Sequence, residues 1–160
     1  MIMADILFWI AVALGLMATF VAHWLAAQAL LPRAVARSAE AYARRPVAAT
    51  LIGTLIGLPL GAIMLGLVDK LPNPVAKMLV IGVLAALLVI AFIGSAGLAR
   101  RVGLGLSTAA DAERPAVPVL RGGGVLVLVF LAPVLGWFVL LPLTLFSGIG
   151  AWLLGRKLDV

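Results

Sequence analysis

The sequence predicts an all-α fold: a polytopic transmembrane helical bundle of three long helices followed by a C-terminal helical hairpin, four to five membrane segments in all. Three observations carry that prediction. Of 160 residues, 65% are hydrophobic and 11% charged, whereas a soluble domain carries about 25% charged residues. The charges fall in clusters, leaving uncharged runs of 22 to 27 residues in the first hundred positions, each long enough for one helix across a core that needs about 20. Finally, Gly122 to Gly155 holds 34 residues without a charge, closed by Arg156 and Lys157. One straight helix of that length would be about 51 Å long and would need a tilt of about 54°, beyond the usual range of about 0–40°. A hairpin of two short arms accommodates it.

The first span is Ile6–Pro32, with His23 as its one ionisable group. Met1 to Ala4 carries no basic residue and the apolar run exceeds an h-region, so it does not read as a signal peptide. Residues 33–45 carry four arginines and one glutamate in an alanine-rich stretch between Pro32 and Pro46. This predicts a short helix along the membrane surface, held by Arg33, Arg37, Arg44 and Arg45 on anionic headgroups at about 1 kcal/mol per cation. Pro46–Val68 is the second span, residues 69–77 a nearly neutral turn, and Met78–Ala99 the third span. The loop 100–117 again holds arginines, and Thr108 and Asp111 have the spacing of a helix N-cap and its third residue. Residues 118–155 form the hairpin, with Arg121 reaching headgroups and the turn at Pro133, Gly136 and Trp137. A turn in lipid leaves backbone groups unpaired, which favours a tip that reaches the far interface.

Positive charge sets the orientation. The two arginine-rich connections and the Arg156–Lys157 end belong on the cytoplasmic side, which puts the N-terminus outside. The same charge could serve nucleic acid in a soluble protein, but no basic domain lies outside the membrane segments, so no nucleic-acid partner is expected.

Small residues mark where helices approach. Gly53, Gly57 and Gly61 recur every four residues in the second span, the pattern that lets two backbones touch in lipid. They serve either packing within the chain or contact with another copy or another membrane protein. Pro59 lies inside this stripe and is expected to kink the helix. In the first span Ala11, Gly15, Thr19, His23 and Ala27 form a second stripe. An intramembrane histidine is a functional candidate by default. Here its neighbours favour a polar helix contact, with Thr19 beside it, over a proton site or an axial ligand for haem or a chlorophyll-type pigment.

Catalytic constellations are missing from the sequence. Gly94-Ser95-Ala96-Gly97 differs in order from a nucleophile elbow and has only His23 as a potential base. Gly103-Leu104-Gly105 and Gly122-Gly123-Gly124 lack the rest of a nucleotide loop. Cysteine is absent, which removes disulfides and thiolate metal sites. No carboxylate lies within the spans, which argues against a carboxylate proton relay. No cofactor or metal is expected, and no enzyme.

The stretch Leu-Ala-Pro-Val-Leu-Gly-Trp-Phe-Val-Leu-Leu-Pro-Leu, followed by Ser-Gly-Ile-Gly-Ala, resembles the Pro-x-x-Gly-Trp hairpins of small polytopic bacterial inner-membrane proteins, including membrane-anchored relatives of bactofilins. The resemblance covers about residues 125–155 and implies a bacterial inner membrane and the hairpin, not cytoskeletal activity. The leading functional expectation is a non-enzymatic accessory or scaffold subunit that associates with lipids and with other membrane proteins or itself. The alternative is a small channel or transporter component with a polar path through His23, Thr19, Thr50, Thr54 and the Pro59 kink. The third reading is a haem- or pigment-binding subunit using His23.

Overall fold

Six α-helices build the chain in a computed structural model that describes residues 2–108, 111, 114–132 and 134–157: α1 (Ile2–Leu30), α2 (Pro32–Arg44), α3 (Pro46–Lys70), α4 (Pro74–Leu104), α5 (Ala116–Phe130) and α6 (Leu141–Gly155). The chain is 89% helical and, among the described residues, has no strand. Four helical segments are long and apolar enough to cross a membrane: α1, α3, α4 and the run Gly136–Gly155. The protein is an all-α membrane bundle.

Prolines punctuate the helices. Pro32, Pro46 and Pro74 each stand at the start of a helix, where the missing N–H is one that has no helical partner anyway. Asn73 caps α4, its side chain accepting from the Val75 amide at 2.9 Å. The expected turn at 69–77 therefore shrinks to Leu71–Asn73. At the other end α4 runs through Arg100 and Arg101 to Leu104, because charge limits the membrane span and not the helix. Pro59 is absorbed without a break in α3.

The helices meet through glycine. α6 lies between α3 and α4 and touches both through backbone. A Cβ on Gly53 of α3 would fall on the Phe146 carbonyl, and one on Gly150 would fall on the Ala49 carbonyl. On the opposite face of α6, Gly148 and Gly94 of α4 stand in the same relation. α5 runs antiparallel to α4, with Gly122 against the Ala99 carbonyl and Gly103 against that of Pro118. The apolar core lies where α1 joins this group: Met17, Phe20, Trp24, Val35, Ile93, Val119 and Phe130 are buried together. Phe20 is within 6.1 Å, ring to ring, of Trp24, Phe92 and Phe130.

One expectation is refined. The helix at 33–45 is not held by headgroups alone: α2 packs into the bundle against α4 and α6, burying Val35, Ser38, Ala39, Ala41 and Tyr42, because Gly97 lets its backbone approach at Ser38 and Ala39 and Gly155 does so at Arg37.

The tip is apolar. From Leu131 to Leu143 the sequence carries no charged or hydroxyl side chain, and Val134, Leu135 and Phe138 are exposed. Leu131 N–H donates to Val127 O at 3.1 Å, Gly136 N–H to Ala132 O at 2.8 Å, and a π-helical turn at Gly136–Leu140 leads into α6. Pro133, expected in this turn, lies outside the described residues.

Gly53→Leu is expected to lower the unfolding midpoint in mild detergent, at a cost of about 1–3 kcal/mol or more, because the neighbour it strikes is backbone. Gly15→Ala and Gly61→Ala, which meet nothing within 4 Å, should leave the midpoint unchanged.

Candidate functional site

Alternating helix direction gathers the ends of α1, α3, α4, α5 and α6 with α2 at one end of the bundle. Arg33, Arg37, Arg44, Arg45, Arg100, Arg101, Arg114, Arg121, Arg156 and Lys157 all belong to this end, leaving Lys70 and Lys77 for the other. This basic end is the candidate functional region.

Its four predicted headgroup residues have different surroundings. Arg44 Nε donates to Glu40 Oε1 at 2.6 Å, one turn apart on α2. Arg37 is half-buried and its Nε donates weakly to the Arg33 carbonyl at 3.4 Å. Arg33 and Arg45 are exposed. Arg156 covers the Trp152 ring at 4.8 Å, a cation–π contact.

Arg121 does not reach for headgroups as expected. Its Nη1 and Nη2 donate to Asp111 at 2.6 and 3.2 Å, and Nη1 also donates to the Leu106 carbonyl at 3.1 Å. Asp111 accepts in addition from the Thr108 amide and hydroxyl, both at 2.9 Å. The expected capping pair thus forms its carboxylate half, with the third-position acid holding the cap amide. The donors from Thr108 and, after them, the Arg121 guanidinium hold the Asp111 carboxyl below its ordinary value of 3.8.

Two buried polar pairs tie this end to the bundle interior. Trp24 Nε1 donates to Ser95 Oγ at 2.9 Å, and Ser95 Oγ donates to the Phe92 carbonyl at 3.2 Å. Tyr42 Oη and Ser147 Oγ lie 2.8 Å apart, joining α2 to α6. Burial raises the Tyr42 phenol far above its usual range, so it stays protonated. Gln28 Oε1, Ser38 Oγ and Thr54 Oγ1 are buried without a hydrogen-bond partner in the bundle.

The other sequence-predicted residues do not converge. Gly53 and Gly57 face Phe146, Ile149 and Gly150 of α6, so they pack within the chain, while Gly61 and Gly15 have open space. His23 is exposed on α1, its Nδ1 2.7 Å from the Thr19 carbonyl and its ring stacked on Phe92 at 4.9 Å. Thr19 and Thr50 hydroxyls donate to the carbonyls of Gly15 at 2.8 Å and Pro46 at 3.1 Å, one turn back in their own helices. These threonines therefore present no free hydroxyl to a polar path. Phe92 covers one face of the His23 ring, and His23 lines none of the cavities formed between the helices. Among the described residues no group of three His, Asp or Glu side chains is placed to hold a metal. Ser95, in the Gly94–Gly97 run, is a hydrogen-bond partner of Trp24 in a helix crossing.

Sequence reasoning missed Gly103, Gly122, Gly148 and Gly150 as contact residues. Gly148 and Gly150 are two apart and serve opposite faces of one helix, so a search for spacing of four passes over them. Comparison with protein-family models, curated proteins and solved structures gave no match.

Asp111 is depressed in the folded chain, so its contribution is complete above its unfolded value of 3.8 and declines as pH falls below that through the folded value. Asp111→Asn is expected to raise protease sensitivity of the 105–115 loop at pH 7 and to abolish the further loss that wild type shows between pH 4 and pH 2. Limited proteolysis across that range, with an acid-tolerant protease below pH 4, measures both. For the interior, a Trp24→Phe and Ser95→Ala double-mutant cycle should give a coupling of about 0.6–1.7 kcal/mol, the range for hydrogen bonds between membrane helices.

Proposed function

We propose that this protein is a non-enzymatic accessory or scaffold subunit of a bacterial inner membrane, anchored at its basic end and docking a partner helix along the outer half of α1. The observation that carries this reading is the unequal packing of the two halves of the bundle. Towards the basic end six helices surround a core. Away from that end α1 loses its neighbours, and Ile6 to Ile10, Val12 and Leu14 are exposed.

Gly53 and Gly57 are consumed inside the chain, so partner contact shifts from α3 to α1. Ala11, Gly15 and Thr19 lie along one exposed line of α1, and a Cβ at Gly15 meets nothing within 4 Å. Small residues permit close backbone approach, which is how helices gain dispersion contact in lipid where water no longer drives association. The partner is another membrane protein or a second copy.

Orientation follows charge. Ten of the twelve basic residues stand at one end, which supports a cytoplasmic C-terminus and α2 with the N-terminus outside. Arg33, Arg37, Arg44 and Arg45 then meet anionic headgroups, each worth about 1 kcal/mol.

Purification in gentle detergent is expected to yield a stoichiometric membrane partner or a particle larger than the monomer, and Ala11→Leu with Gly15→Leu should remove it without moving the unfolding midpoint. A wild-type chain that elutes as a lone monomer from membranes in which it is natively expressed, or a complex indifferent to the two leucines, overturns the reading.

A further inference from the structure

A cavity of about 460 Å³ lies between α3, α4 and α6, above the glycine contacts that hold the three helices together. Gly57, Gly61 and Leu65 line it from α3, Leu84 and Leu88 from α4, and Pro142, Leu145 and Ile149 from α6. Its volume falls in the range of small-molecule sites, about 300–1,000 Å³. No charged or hydroxyl side chain faces it.

Its shape follows from the wedging of α6 between the other two helices. α6 holds α3 and α4 apart at Gly53 and Gly94, while Leu71–Asn73 joins them at the other end. Leu141, Leu145 and Ile149 of α6 line the gap along its length, so three helices wall this window. A helix about 10–12 Å across with its side chains does not fit a gap of this volume, whereas a single hydrocarbon chain does. The long dimension agrees: Gly57 to Leu65 spans about 12 Å at about 1.5 Å per residue.

Charge stands within about two helical turns of the cavity. Lys77 is half-buried and precedes Leu84 by seven residues, two turns along the same face of α4. Lys70 ends α3, five residues beyond Leu65. Neither lysine forms an ion pair among the described residues, although Asp69 is adjacent in sequence. Two cations against one carboxylate leave net positive charge at the depth where a phosphate sits when an acyl chain hangs into the gap.

We infer that this window is a phospholipid site: one acyl chain fills the cavity between Gly57 and Leu65, and the lipid phosphate sits by Lys77 and Lys70. The bound chain fills the space that the three helices leave between them, and so braces the outer half of the α3–α4 pair. This is separate from the docking line on α1 and holds whether or not that line has a partner.

Native mass spectrometry of delipidated protein, titrated with dioleoyl phosphatidylglycerol, tests it. Wild type is expected to take up one lipid tightly. Gly61→Leu puts a side chain into space that is empty around its Cβ, and should lower occupancy at least about tenfold while leaving the delipidated midpoint equal or higher. Lys77→Gln should weaken binding by about threefold or more, and the soluble headgroup glycerophosphoglycerol should not bind. Uptake that is unsaturable or absent in wild type, or equal in Gly61→Leu, overturns the site. So does a wild-type dimer that Gly61→Leu converts to monomer, since a second copy would then be the occupant.

Discussion

Backbone contact between α6 and its two neighbours is the constraint on which the rest of this structure depends. In lipid, apolar burial against water does not draw helices together, so association rests on dispersion and a few hydrogen bonds, both of which need close approach. Gly53 with Gly150 on one side and Gly94 with Gly148 on the other give that approach. A single added methyl group at any of these four would land on a carbonyl or amide of the facing helix. α6 is thereby a wedge with two faces, and α3 and α4 take their separation from it.

From the wedge follow the other features. α5 and α6 are joined by a short apolar tip, and the bundle is dense where α2 and the aromatic core meet it and open along the outer half of α1. The dense end carries the aromatic cluster around Phe20 and the buried Trp24–Ser95 and Tyr42–Ser147 pairs. These pairs give helix crossings a fixed depth, which dispersion alone does not specify. The open end has long helices whose outer faces meet only lipid or a partner. The basic end is also where Asp111 and Arg121 pin the 105–115 loop, so charge there has two uses: part is paired to shape a loop, and part is left for the membrane.

Helix identity was plain in the sequence because prolines and charges mark nearly every boundary, and the structure starts α2, α3 and α4 at Pro32, Pro46 and Pro74. The glycine stripe on α3 was legible as a contact face, yet which face it met was not. Gly61 belongs to the same four-residue series as Gly53 and has nothing within 4 Å, because a cavity opens there between α3 and Pro142 of α6. His23 and Thr19 were legible as the polar residues of α1, but their polar atoms turn back to carbonyls of Gly15 and Thr19 in their own helix. Gly122 and Gly103 carried no periodic signal, since a contact between two helices needs only one small residue at each crossing on each side.

The sequence by itself determined the class of this protein: an uncharged run of helix length has one low-energy place, a bilayer, and alternating charged connections decide how often the chain turns back. Tertiary structure decided where α6 wedges between its neighbours and what each small residue touches. The physical reason is that local sequence sets whether a backbone can hydrogen-bond to itself. Depth and pairing depend on which two surfaces can approach within van der Waals distance, and that is a property of both surfaces together.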